Sequence, residues 1–147
     1  ELDVVGDGPL REEWKSLADQ LGIAERVRWH GWQPRENVRP FYQRAHALVQ
    51  PSLYEGMANT VLEAMACGTA IVASDEPANR ELVRASGAGA CLPLADAFTS
   101  EAVLRAAMTS GDWEAWGHQA RQHAVAHFSW PQVAADYVRC LTPKLDF

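Results

Sequence analysis

Apolar and polar positions alternate between two periods along the chain. Short apolar runs at Leu2–Val5, Val27–His30, Ala47–Gln50, Thr69–Ala73 and Gly89–Leu92 read as five strands. The fourth is apolar throughout, as strands buried on both faces are. Between the first two, Leu10, Trp14, Leu17, Ala18 and Leu21 fall on one helical face, with Pro9 suited to the first helical position and Gly22 to the end. A short helix is predicted from about Glu36, after Pro34. Another runs from about Asn59 to Cys67 and is closed by Gly68, and a third from about Ala78 to Arg84. Beyond the fifth strand the pattern is helical. Trp130, Val133, Ala134, Tyr137, Val138 and Leu141 make an apolar stripe on the last helix, with Ser129 placed to cap it.

Strands separated by helices mean βαβ units, so the predicted class is α/β. The expected architecture is a Rossmann-like, mostly parallel sheet with helices on both faces, because right-handed crossovers distribute them so. In such sheets ligands bind at the carboxyl ends of the strands. That rule directs attention to Gly6–Gly8, Gly31–Trp32, Ser52–Thr60, Ser74–Asn79 and Leu94–Phe98.

Composition narrows the classes. The 147 residues fit one domain, and 48% hydrophobic with 22% charged residues is ordinary for a globular chain. Thirteen basic against nineteen acidic residues leave a net charge of -6, with no basic face, so neither nucleic acid nor an anionic membrane is an expected partner. No apolar run reaches membrane-spanning length, and with no charged-then-apolar leader pattern at its start no signal peptide is expected. Cys67, Cys91 and Cys140 are odd in number and widely spaced, which predicts reduced, mostly buried thiols and a cytoplasmic protein.

The richest segment is Pro51–Gly68, where a strand ends, a glycine-containing turn follows and a helix begins. Amides at a helix N-terminus are orphan donors and, with the helix dipole, suit a diphosphate. Gly56 allows close backbone approach. Glu55 and Glu63 bracket the turn, and carboxylates accept well from vicinal hydroxyls while repelling phosphate. Phosphate on amides and hydroxyls on carboxylates together describe a nucleotide sugar.

The run E-G-M-A-N-T-V-L-E-A-M-A-C-G at residues 55–68 resembles the C-terminal domain of retaining nucleotide-sugar glycosyltransferases of the GT-B fold, group 1 (family 4) type. So do V-V-G-D-G-P-L-R at Val4–Arg11, R-V-R-W-H-G at Arg26–Gly31, P-S-L-Y-E-G at Pro51–Gly56, N-R-E-L-V at Asn79–Val83 and F-S-W at Phe128–Trp130. The resemblance implies that Glu55 accepts from donor-sugar hydroxyls and Glu63 from the ribose. It places the amides of Gly56, Met57 and Ala58 along the sugar, those of Asn59 and Thr60 at the diphosphate, and Gly31-Trp32 near the base. It implies transfer of sugar from a UDP- or GDP-sugar to a hydroxyl acceptor with retention, by front-face attack, with no cofactor, metal or protein nucleophile. Electrostatic stabilisation of the leaving diphosphate is then the protein's task.

Met57 and Ala58 depart from the residues common there, phenylalanine and glycine or proline, at contacts that are largely backbone. The arginine and lysine that such enzymes aim at the diphosphate come from a βα unit with no counterpart here; Lys15 and Lys144 do not match them. Residues 1–147 are therefore expected to form a single partial nucleotide-sugar-binding domain. That domain is expected to lack its first βα unit and the acceptor-binding N-terminal domain, and to be inactive alone. Peripheral membrane contact stays open to the parent enzyme. The alternatives are a non-catalytic nucleotide-sugar-binding or interaction module of the same fold and, more weakly, a sugar-nucleotide epimerase.

Each candidate has a plainer reading. Thr60-x-x-Glu63 is also a capping-box pattern, and Glu55 is also a loop carboxylate. Glu81 serves either the helix dipole or the donor. Gly6-Asp7-Gly8 lacks the third small residue of a dinucleotide fingerprint, since Arg11 stands there, and reads as a tight turn. His123 and His127 read as a solvated face rather than a metal site, and His30 as a packing residue. Trp14, Trp113, Trp116 and Trp130 suit helical apolar faces; Trp32, after a strand end, suits ligand proximity.

Overall fold

The computed structural model describes residues 1–54, 56, 59–110 and 112–142. Chain contacts divide it into two compact units, residues 1–41 and 42–147. The alternation of strand and helix is as the hydrophobic pattern predicts, and the class is α/β with parallel pairing throughout.

In the first unit, β1 (Leu2–Val5) and β2 (Val27–Gly31) form a two-stranded parallel sheet, with Leu2 opposite Val27 and Val4 opposite Trp29. The crossover is α1 (Arg11–Gln20) and a 3-10 turn, Ala24–Arg26. Pro9 lies just before α1 rather than inside it. The predicted apolar face of α1 is there, but only Ala18 on it is buried.

The helix α2 (Arg35–Arg44) contains Pro40, which removes the bond its N–H would have given the Glu36 carbonyl, and the division between units falls just after it. The second unit is built on a three-stranded parallel sheet in the order β3 (Ala47–Gln50), β4 (Ala70–Ser74), β5 (Gly89–Leu92). The five expected strands thus fall into two parallel sheets. Every residue of β4 is buried, which matches its unbroken apolar run.

Around this sheet lie α3 (Asn59–Ala66), α4 (Pro77–Ser86), α5 (Ala97–Ser110) and α6 (Trp113–Phe128). α3 buries Val61, Ala64 and Met65 completely. It ends at Gly68, whose positive φ of 81° reverses the chain so that the Thr69 N–H reaches the Ala64 carbonyl at 3.0 Å. The Arg121 guanidinium donates to the Ala66 carbonyl, a cation at the negative end of the helix. α6 crosses here at van der Waals distance: a Cβ on Gly117 would stand 2.2 Å from the Gly68 oxygen.

The last helix, α7 (Trp130–Leu141), buries no residue, and its predicted stripe is uncovered at Trp130, Tyr137, Val138 and Leu141. Ser129 occupies the N-cap position, but its side chain makes no capping bond. The expectation of mostly buried thiols also fails. Cys140 lies on α7 and is exposed, while Cys67 and Cys91 are half-buried.

Candidate glycosyl-donor site

In the second unit, the carboxyl end of β3 leads through Pro51 and Ser52 to the loop before α3. The Gln50 side chain donates to Ser52 Oγ at 2.7 Å as the chain leaves the strand. Glu55, Met57 and Ala58 lie outside the described residues, so their expected roles have no geometry to set beside them. Gly56 is exposed, with no atom within 4 Å of where a Cβ would stand, so its backbone is open to approach. Asn59 and Thr60 are exposed as the first two residues of α3, with their amides among the orphan donors of its first turn.

Glu63 is the fifth residue of α3 and half-buried. Thr60 stands inside the helix, not at the N-cap, so the pair is not a capping box. On α2, burial first, then the charges of Glu63 and Cys67 and hydrogen bonding with Glu63, push the Tyr42 phenol up to about 12. Tyr42 is buried, and its carbonyl accepts from Thr69 Oγ1 at 2.8 Å. Sequence reasoning missed Tyr42. An aromatic residue on an amphipathic helix signals core, and nothing in its spacing from Glu63 announces that the two influence each other's charge.

At the carboxyl end of β4, Asn79 is buried and donates to Ser74 Oγ at 3.1 Å. Asp75 accepts from Arg80 Nε at 2.6 Å, and this bond holds its carboxyl below the usual carboxylate range. Glu81 is exposed in the middle of α4, beyond its first turn, which weakens the dipole reading.

In the first unit, Gly31 ends β2 with φ of 65° and its carbonyl accepts from the Gly6 N–H at 2.8 Å. Trp32 beside it is 74% exposed. Gly6-Asp7-Gly8 is a turn built by its aspartate. One Asp7 oxygen accepts the Gly8 amide at 2.9 Å and the other pairs with Arg11 at 3.0 Å. A largely apolar cavity of about 310 Å³ lies over this turn, between Trp14 and Trp29. His30 is a packing residue, bonded to Asp3 at 2.6 Å and set edge-on to Phe41. His123 and His127 lie with ring centres 4.4 Å apart at a tilt of 43°, and His123 is half-buried, with burial the main cause that lowers its pKa. Among the described residues no cluster of metal-ligating side chains occurs, and no helix is long and apolar enough to cross a membrane.

Residues 1–123 match the model of the glycosyl transferases group 1 family. The chain belongs to that family. Its group 1 relatives include the MMP alpha-(1->4)-mannosyltransferase of Mycolicibacterium hassiacum, 36% identical over 126 residues, covering 84% of this chain and 31% of that protein. The lipopolysaccharide core biosynthesis glycosyltransferase LpsE of Rhizobium meliloti is 33% identical over 96 residues, covering 65% of this chain and 28% of that protein. The chain therefore spans about a third or less of these relatives. Among solved structures, the sucrose-phosphate synthase of Thermosynechococcus elongatus superposes with a TM-score of 0.80 at 25% identity, over 94% of this chain and 37% of that one. WaaG, a glycosyltransferase involved in lipopolysaccharide biosynthesis, superposes at 0.73 with 26% identity, over 92% of this chain and 37% of that one. The Anabaena protein HepE in complex with UDP-glucose shares the fold, at 0.75 and 20% identity, over 95% of this chain and 40% of that one. The Rossmann-like α/β architecture of this group 1 chain is thus that of GT-B glycosyltransferases.

Proposed function

We propose that this chain binds the nucleotide-sugar donor for a retaining glycosyltransferase that moves a sugar to a hydroxyl acceptor. The observation that carries the reading is α3. It begins with the exposed residues Asn59 and Thr60 beyond the carboxyl end of β3 and bears the half-buried carboxylate Glu63 one turn further in, within a group 1 chain. The diphosphate is assigned to the amides of Asn59 and Thr60, where the helix dipole favours negative charge. Those donors would act most strongly as charge builds on the leaving phosphate, which is the source of catalysis in this scheme. Glu63 accepts the ribose hydroxyls. Glu55 accepts donor-sugar hydroxyls, with the backbone of Gly56, Met57 and Ala58 along the sugar; these roles rest on the family resemblance alone, as does placing Gly31 and Trp32 near the base.

Attack from the front face, with the leaving phosphate taking the acceptor's proton, retains configuration and asks for no protein nucleophile. UDP is the favoured nucleotide to try first, because structural neighbours of this fold hold UDP or UDP-glucose. The acceptor is assigned to the remainder of a longer enzyme, and the 147-residue chain alone is expected to give no turnover, since it spans a third or less of its relatives. The free state of the three described cysteines fits a reducing, cytoplasmic setting.

Amide NMR during titration with UDP and with GDP tests the reading. Shifts concentrated on residues 55–63 are expected; shifts scattered elsewhere would sink it. Sugar transfer by the isolated chain would overturn the expected inactivity.

A further inference from the structure

The turn between β1 and α1 carries an ion pair with hydrogen-bonding capacity to spare. We propose that Asp7 and Arg11 read the base of the donor, selecting a ring edge that presents a carbonyl oxygen beside a ring N–H, as uracil and guanine do. This rests on the reading that places the base near Gly31.

The geometry sets the pair at that place. Arg11 Nη1 donates to Asp7 Oδ2 at 3.0 Å and Asp7 Oδ1 accepts the Gly8 amide at 2.9 Å, so both side chains are fixed before a ligand arrives. The pair lies over the end of β2: a Cβ on Gly31 would stand 3.8 Å from Arg11 Nη1 and 4.0 Å from Asp7 Oδ2. The Gly6 N–H donates to the Gly31 carbonyl at 2.8 Å and ties the two strand ends together. Parallel strands bind ligands at their carboxyl ends, and β1 and β2 both end here. Asp7 and Arg11 also border the largely apolar cavity of about 310 Å³ between Trp14 and Trp29, the size and lining of a small-molecule site.

Charge and exposure decide which part of the donor fits. Opposite charges in contact leave the pair near neutral, and Asp7 would repel a phosphate, so the diphosphate is a poor match. The side chains of Arg11 and Asp7 are 32% and 46% exposed, so a ligand can reach them. A guanidinium only donates and a carboxylate only accepts. Side by side they match a carbonyl oxygen next to an N–H. Cytosine and adenine put an amino group in place of that carbonyl and a bare nitrogen in place of that N–H. The indole walls of the cavity suit the flat ring behind the edge. An ion pair this exposed adds little stability, yet Arg11 Nε is buried with no partner among the described residues. A pair that only braced the turn has no reason to carry that cost.

The test titrates the 147-residue chain with UDP, CDP, GDP, ADP and ribose 5-diphosphate, followed by amide NMR. The better bound of UDP and GDP should exceed its amino counterpart, CDP or ADP, by about tenfold, the value of one hydrogen bond to a charged group. Arg11→Met, which keeps the stem and removes the guanidinium, should bring that ratio close to one with the amide spectrum of β1 and β2 otherwise unchanged. A wild-type ratio in Arg11→Met overturns the role of the pair, and so does a wild type that binds both kinds of base equally. Should Arg11→Met fail to fold, the carboxyl carbon resonance of Asp7 in the unaltered protein decides the matter. Movement with the preferred nucleotide beyond that with ribose 5-diphosphate supports the proposal, and equal movement overturns it. Nucleotides that shift residues 6–11 and 27–32 no more than ribose 5-diphosphate does overturn the base placement beneath it.

Discussion

α1 and α3 each follow a parallel strand and a glycine-containing turn, and each has an apolar face at helical spacing. Their fates differ. Met65 on α3 is 0% exposed, whereas Leu17 on α1 is 50% exposed and Trp14 51%. The reason is the number of layers behind each helix. α3 packs against β4, the middle strand of three, and is covered in turn by α6. α1 belongs to a sheet of two strands, and two strands offer too little surface to bury a helix face. Periodicity tells which face a helix turns inward; the extent of the surface it meets decides how dry that face becomes.

The largest expected effect tests the covered side of this comparison. Gly117→Ala would drive a methyl group to 2.2 Å from the Gly68 oxygen, and backbone on both sides leaves nothing flexible to yield. Urea denaturation should show a loss of about 3 kcal/mol, the upper end for overpacking. A loss under about 1 kcal/mol would mean that α6 can move off α3 without cost.

A paired truncation then measures the contrast directly. Met65→Ala should cost about 3 kcal/mol, because a fully buried side chain leaves a cavity. Leu17→Ala should cost about 1 kcal/mol, since only half of that side chain is out of water. Equal losses from the two would break the comparison.

Tyr42 supplies a pH test within the covered unit. Its pKa is raised from 10.0 to about 12, first by burial and then by Glu63. The unfolded chain therefore loses this proton before the folded one does, so the stabilisation is complete below pH about 10 and disappears as pH rises to about 12. Alkaline denaturation of Tyr42→Phe should lack the part of the decline in that window; an identical profile would show that Tyr42 titrates as an exposed phenol.

The smallest effect belongs to the Asp75–Arg80 pair. Both side chains are more than a third exposed and screened by solvent, so Arg80→Ala should lower stability less than either truncation above. Asp75 has a lowered pKa, so its contribution is present above the ordinary carboxylate value of 3.8 and fades as pH falls below it. The variant and the wild type should therefore converge in acid, and a gap that widened there would reverse the assigned cause.

Much of the fold was legible because its signals are local. Five apolar runs marked five strands, and the chain-reversing Gly68 and the apolar Ala70–Ser74 strand stand within a residue of where pattern placed them. The offset from Glu55 singled out Glu63 as a site candidate, and the capping alternative fell only when Thr60 proved to lie inside α3. The stripe on α7 shows the opposite limit. Its spacing is as clear as any in the chain, yet Trp130 and Leu141 stand in solvent among the described residues.

By itself the sequence determined the α/β alternation, the loops at the carboxyl ends of the strands and the carboxylates that bracket one of them. Those features depend on residues a few positions apart, where backbone geometry imposes a known period. The tertiary structure decided that the strands form two sheets, that α6 rather than α7 closes over the core, and that burial and the charge of Glu63 on α3 raise the Tyr42 phenol of α2. Each of these is a meeting of distant segments. Such meetings are set by the area, shape and charge each surface presents to the other, which no spacing along a chain encodes.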